Sequence, residues 1–232
     1  MTSVESEVPL SGGRVTAGVV RVGNTVRRPS TANSDFVHRL LDHLAARGFE
    51  GAPSFLRTDE SGRDVFTFIK GYVPPELAFH DDETLRGAAS LIRRFHDLSA
   101  ELVATRAAQA VGIEVICHND LSPCNFVFRA GVPIAMIDFD VAAPGSRLHD
   151  LGYAAWLWLD LGSSSIAASD QKRRLAAFVE AYGMHEPRFV LAAALKRQVI
   201  LVGEGNRTGN VAMAQWATEC MEWTRNHIEH LI

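Results

Sequence analysis

The chain has 232 residues, 47% hydrophobic and 22% charged, which is the balance of a folded globular protein and excludes a disordered or collagenous one. Its net charge of −4 argues against a nucleic-acid backbone as partner. Three cysteines (Cys117, Cys124, Cys220) without a Cys-x-x-Cys pair, an N-terminal run bearing Glu5 and Glu7, and no apolar stretch of roughly 18 residues leave a cytoplasmic protein with no signal peptide and no membrane partner as the expectation.

From the N-terminus, Gly12-Gly13, then Val15, Val19, Val20 and Val22, then Gly23-Asn24 and Thr25-Val26 read as short strands joined by tight turns. Pro29 closes this region, and Ser30 to Ser34 offer capping residues to a helix whose apolar face is Phe36, Val37, Leu40, Leu41 and Leu44, stopping at Gly48. Residues 52–56 and 65–69 suit a hairpin about Ser61-Gly62, and residues 71–75, Gly-Tyr-Val-Pro-Pro, form a linker that continues neither element. Beyond it the period becomes 3.6: Leu85, Ala88, Leu91, Ile92, Phe95, Leu98 and Leu102 make one apolar stripe. Residues 113–141 return to strand and loop, and from Leu148 onward the chain is helical, with breaks at Gly162, Gly183 and 204–209. The expected architecture is α+β and two-lobed. It has a β-rich lobe over residues 1–70 with one helix, a hinge over 71–75, and a larger, mostly helical lobe over 76–232.

Polar residues cluster at Cys117-His118-Asn119-Asp120-Leu121-Ser122-Pro123-Cys124-Asn125, between strongly apolar flanks. Phe126 to Phe128 and Ile134 to Ile137 form two strands, and folding that hairpin about residues 131 and 132 brings Asn125 alongside Asp138, since antiparallel partners lie about 5 Å apart. An amide oxygen and a carboxylate are hard ligands of the kind Mg²⁺ takes together with phosphates and water, and Asp140 is a candidate second carboxylate. Asp120, on the loop before the hairpin, is then free to accept a proton from an attacking hydroxyl. Phosphoryl transfer divides its labour in this way.

The pattern His118-x-Asp120-x-x-x-x-Asn125, Ile137-Asp138-Phe139-Asp140, Gly145 and Asp150-Leu151-Gly152 resembles the catalytic signature of the aminoglycoside phosphotransferase and choline kinase-like family, relatives of protein kinases. The resemblance implies a two-lobed kinase-like fold with ATP in the cleft at a hinge near Phe68 and Ile69. It further implies Asp120 as catalytic base, His118 shaping its loop, Asn125 and Asp138 holding magnesium, and Asp150 buttressing the loop. The small lobe departs from the family. No lysine precedes Lys70, leaving Arg27 or Arg28 as the phosphate-clamping cation, with Arg27 slightly preferred, and the following helix offers Asp35, His38 and Asp42 where a glutamate is usual. The function implied is ATP-dependent transfer to a hydroxyl of a small molecule. A cationic acceptor suits the net −5 of residues 76–232 against the net +1 of residues 1–75. The alternatives are a non-catalytic kinase-like binding or immunity protein and a peptide-modifying kinase.

Overall fold

The computed structural model describes residues 6–10, 18–184 and 186–232; the turn expected at Gly12-Gly13 and the strand residue Val15 lie outside the described residues. A five-stranded antiparallel sheet forms the small lobe from β1 (Val8–Pro9), β2 (Val20–Val22), β3 (Thr25–Pro29), β4 (Phe55–Thr58) and β5 (Arg63–Thr67), in the order β1-β2-β3-β5-β4. Helix α1 (Ser34–Ala46) packs Val37, Leu40, Leu41 and Leu44 into the core, as its apolar spacing requires. Buried Asp64 of β5 ties the start of α1 to the sheet, accepting from Ser30 Oγ at 2.7 Å and Ser34 Oγ at 2.6 Å and facing His38 Nε2 at 3.2 Å. Burial works to raise its pKa, but these bonds outweigh it and hold the carboxyl below its ordinary value.

Strand β5 stops at Thr67, two residues short of the expected Ile69, although the Phe68 N–H still carries the β3 register one step further onto the Asn24 carbonyl (2.9 Å). The linker then pairs briefly with the large lobe, Tyr72 and Phe128 exchanging backbone bonds of 2.8 and 2.7 Å. Helix α2 (Asp82–Ser99), capped by the Asp81 side chain on Thr84 N–H, buries Leu85, Ile92 and Phe95; each buried side chain of this size contributes about 1.5–3 kcal/mol. Leu102 departs from the expected stripe. The helix ends at Ser99 and tightens into a 3-10 turn, Ala100–Val103, which leaves Leu102 exposed.

After α3 (Arg106–Ala110) come β6 (Val115–Cys117), the hairpin β7 (Phe126–Arg129) and β8 (Val132–Met136), and β9 (Ala143–Gly145), which pairs with β6. Four helices complete the lobe: α4 (Arg147–Leu159), α5 (Ala168–Tyr182), α6 (Pro187–Thr208) and α7 (Val211–Leu231). The break expected over 204–209 falls at Gly209 alone. Gly205 stays helical because it lets α6 meet α7: a Cβ there would lie 2.8 Å from Ala214 N and Cβ. Gly152 plays the same part between α4 and α6, where a Cβ would come within 2.6 Å of the Ala193 carbonyl carbon and 2.7 Å of Ala194 N. In an open helix, replacing glycine with alanine stabilises by up to about 1 kcal/mol. Gly152→Ala has the opposite sign and costs about 1–3 kcal/mol of overpacking. Urea denaturation measures it, and a midpoint equal to or above the parent's would refute this close approach of α4 and α6.

Candidate active site

The loop between β6 and β7 is held from beneath by one carboxylate. Asp150, in the first turn of α4 and completely buried, accepts the N–H of His118 (2.7 Å) and of Asn119 (2.8 Å), and faces His96 Nε2 at 3.0 Å. Burial pushes its pKa up, yet the bonds from His96 and the His118 N–H prevail, and the group stays ionised below its ordinary value. His96 is fixed in turn by Tyr182, whose hydroxyl lies 2.8 Å from Nδ1.

His118 is fully buried and closes the loop on itself. Its Nδ1 accepts the Asp120 N–H at 3.3 Å, so the hydrogen resides on Nε2, which donates to the Ile137 carbonyl at 3.0 Å. With both ring nitrogens spent on backbone, this side chain shapes the loop. Asp120 stands above it, half-buried. Its Oδ2 accepts from Asn125 Nδ2 (2.8 Å) and its Oδ1 from the Tyr153 hydroxyl (3.1 Å). The sequence reading missed Tyr153, although it lies three residues after Asp150 and therefore on the same face of α4, one turn further along the helix. Burial and the neighbouring Asp120 push its phenol far up, so it is a hydroxyl donor. The Arg197 guanidinium of α6 lies 4.6 Å from the Tyr153 ring and donates to the Asn119 carbonyl at 3.2 Å; nothing in the sequence pattern marked it.

The hairpin register is one residue off the expected one. A two-residue turn with positive φ at Ala130 (51°) and Gly131 (82°) and a bulge between Val127 and Phe128 set Asn125 opposite Ile137, whose N–H bonds the Asn125 carbonyl at 2.9 Å. Asn125 and Asp138 nevertheless share one cavity of about 340 Å³. Its walls include Val26, Phe66, Phe68, Ile69, Val127 and Ile137, so both expected hinge residues line it, and Arg28 stands beside Asp138. A wider hollow of about 660 Å³ beside α3, lined by Val103, Gln109 and Glu114, contains none of these groups.

Of the two arginines on β3, the structure turns Arg28 into the cleft and not Arg27. Arg28 Nη2 meets Asp138 Oδ1 at 3.0 Å and also contacts Asp140 Oδ2, whereas Arg27 lies 3.6 Å from Asp59. The slight preference for Arg27 is thereby corrected. Successive strand residues face opposite sides, and pairing Arg28 with Asp64 and Arg27 with Val65 settles which is which. Asn125 spends its Nδ2 on Asp120, so its amide oxygen is the atom it offers to the cavity. With the Asp138 carboxylate it makes a pair of hard oxygens that fits Mg²⁺ bound largely through phosphates and water. Among the described residues no three His, Cys, Asp or Glu side chains converge as a metal cage, and no helix is long and apolar enough to cross a membrane.

Asp150→Asn removes the charge that the loop N–H groups and His96 share, and costs about 1–3 kcal/mol at neutral pH. Because the folded carboxyl titrates below its ordinary value of 3.8, its contribution is present above that value and vanishes as pH falls through the folded one. The gap between parent and variant in urea denaturation is therefore constant near neutrality and narrows below about pH 4. A gap independent of pH would contradict an ionised Asp150.

Residues 98–192 match the model of a phosphotransferase enzyme family. The trifolitoxin immunity protein of Rhizobium leguminosarum bv. trifolii is 28% identical over 259 aligned residues, covering 98% of this chain and 98% of that protein. Among solved structures the chain is similar to the GDP complex of aminoglycoside 2'-phosphotransferase-IIIa, with a TM-score of 0.58, 15% identity, and coverage of 97% of this chain and 94% of the other. It is also similar to a choline/ethanolamine kinase family protein from Mesorhizobium loti, with a TM-score of 0.57, 15% identity, and coverage of 97% and 91%. The family resemblance read from His118 to Gly152 thus holds: the chain has the kinase-like fold of the aminoglycoside phosphotransferases and choline kinase-like proteins, and residues 98–192 carry the match to the phosphotransferase family.

Proposed function

We propose that the chain is a phosphotransferase that moves the γ-phosphoryl group of ATP to a hydroxyl of a small molecule. The observation that carries this reading is the convergence on one cleft of an oriented carboxylate, Asp120, with Asn125, Asp138 and the Arg28 cation, beside an apolar cavity large enough for a nucleoside. Complexes of the structural neighbours with GDP support a nucleotide in that cavity.

In this reading the apolar walls, Val26 and Phe66 from the small lobe and Val127 and Ile137 from the large one, take the base. Asp120 receives the acceptor's proton. A carboxylate oxygen accepts more than one hydrogen bond, so Oδ1 takes the acceptor hydroxyl while keeping Tyr153. The bonds from Asn125 and Tyr153 fix the carboxylate before the acceptor arrives, which removes an ordering cost from the reaction. As the hydroxyl oxygen attacks phosphorus, its proton passes to Asp120 and the bond to the bridging oxygen of the departing ADP breaks. Arg28 faces the charge on the phosphates. Asn125 and Asp138 would hold Mg²⁺, which supplies neutralisation of the phosphates when bound.

A second reading is favoured by the full-length likeness to an immunity protein: a protective binder that uses the same cleft without transfer. One variant separates the two. Asp120→Asn keeps the volume and both neighbours but has no basic carboxylate. It lowers transfer to hydroxylated amines by about 10²–10⁴-fold while leaving ATP affinity within about threefold. Coupled ADP release and calorimetry measure the two quantities. Transfer retained within about threefold removes Asp120 as the base. A parent that binds ATP and transfers to none of these hydroxylated amines favours the binding protein.

A further inference from the structure

We propose that Asp140 is a positioning residue that anchors Arg28 in the cleft, in the place that a carboxylate on α1 would otherwise take, and that it does not ligate a cation. The inference rests on the nucleotide reading above and assigns the residue that orients its phosphate clamp.

Among the described residues, the ion pairs of Arg28 run to Asp138 and Asp140, and none runs to Asp35 or Asp42 of α1. The inward α1 residue His38 is committed elsewhere, facing Asp64 at 3.2 Å and stacked on Phe55 with ring centroids 3.6 Å apart. Helix α1 still reaches the arginine at one remove. Asn33, at its N-terminus, gives no side-chain cap and instead donates Nδ2 to the backbone carbonyls of Asp140 (2.8 Å) and Ala142 (3.1 Å). Asp140 is therefore held by its backbone from α1 and by its side chain from β3. Arg28, Asn125 and Asp138 line the cavity, whereas Asp140 is not among its lining residues and has its carboxylate on Arg28.

The two contacts have different fates. Asp138 has a second task as a hard ligand, so its bond to Arg28 is the one given up when a cation and phosphates enter. The bond to Asp140 remains. A guanidinium with five donors keeps one carboxylate while turning its other edge to a phosphate, a division that a compact ammonium on a flexible stem makes poorly. This accounts for an arginine where the family resemblance implies a lysine.

The experiment is a double-mutant cycle on the full chain, read by calorimetry with ATP and Mg²⁺, with Mn²⁺ alone as the cation probe. Arg28→Ala raises the ATP dissociation constant about tenfold or more. Asp140→Asn raises it by a similar factor, the double variant is no weaker than Arg28→Ala alone, and Asp140→Glu stays within about threefold of the parent by restoring the charge. Mn²⁺ affinity is unchanged in Asp140→Asn and falls in Asp138→Ala. Additive losses, or ATP affinity unmoved by Asp140→Asn, overturn the anchor. A loss of Mn²⁺ affinity in Asp140→Asn makes it a cation ligand instead. Each of these results leaves the nucleotide reading standing, while a parent that binds no ATP with or without Mg²⁺ refutes that reading and the anchor together.

Discussion

The buried carboxylate of Asp150 is the constraint on which the rest of the site depends. An ionised group taken out of water costs several kcal/mol unless hydrogen bonds replace its hydration, and here they come from two consecutive loop N–H groups and His96. The exchange is mutual. The loop can hold Asn119 at a φ of 66°, a conformation few side chains adopt, because these two bonds fix the backbone before that rotation and the Arg197 bond to the Asn119 carbonyl fixes it after. Asp150 is itself placed by α4, and α4 by the close approach of Gly152 to α6. The line from α6 through α4 to the loop therefore fixes where Asp120 stands, and it is made of packing and backbone bonds with little freedom in any link.

The small lobe shares its apolar core with α2 through Val37, Leu40, Leu41 and Leu44, and at the cleft it meets this floor through polar contacts. Arg28 and Asn33 reach across to residues 138–142, and Tyr72 pairs with Phe128 at the hinge. Of these, the Arg28–Asp138 pair is the one a ligand can rearrange at modest cost, since part-exposed ion pairs contribute about 0–1 kcal/mol each, while Asp140 keeps its hold on Arg28. The apolar cavity lies between the two lobes, with Val26 and Phe66 on one side and Val127 and Ile137 on the other.

Much of this was legible in the sequence because it follows from short-range rules. The stripe from Leu85 to Phe95, the apolar face of α1 and the existence of a hairpin between Phe126 and Ile137 all declare themselves by spacing, whereas the capping expected of Ser30 to Ser34 does not form, Asn33 making no side-chain cap. The juxtaposition of Asn125 and Asp138 came from strand arithmetic and survived a one-residue register shift, since both residues lie at the hairpin's open end. What stayed hidden depends on long-range packing. The facing of Arg27 and Arg28 hangs on which β3 residue opposes Asp64, and the Leu102 error on where α2 tightens into a 3-10 turn. Gly205 looked like a helix break because its purpose, contact with Ala214, lies on another element. Tyr153 was within reach through its i+3 relation to Asp150, but Arg197 was not, because its place over that ring is set by the crossing of α4 and α6.

The charge of the large lobe illustrates why a sum taken along the chain is a poor guide to a site. Its acidic surplus suggested a cationic acceptor, yet many of the carboxylates are spent locally: Asp97 on Arg93 and Arg147, Asp82 on Arg173, Asp150 on the loop. Beside Asp120 the charged neighbour is Arg197, stacked on the ring of the tyrosine that shares the Asp120 carboxylate. Its companion His149, 2.7 Å away, is held neutral, its pKa lowered by burial and then by Arg197 itself. In a partly buried setting, interactions at about 4–6 Å outweigh those of surface charges beyond a Debye length of about 8 Å. The local field beside Asp120 is therefore set by Asp120 and Arg197 together more than by the net charge of the lobe, and under the proposed function it is the field an acceptor hydroxyl would meet.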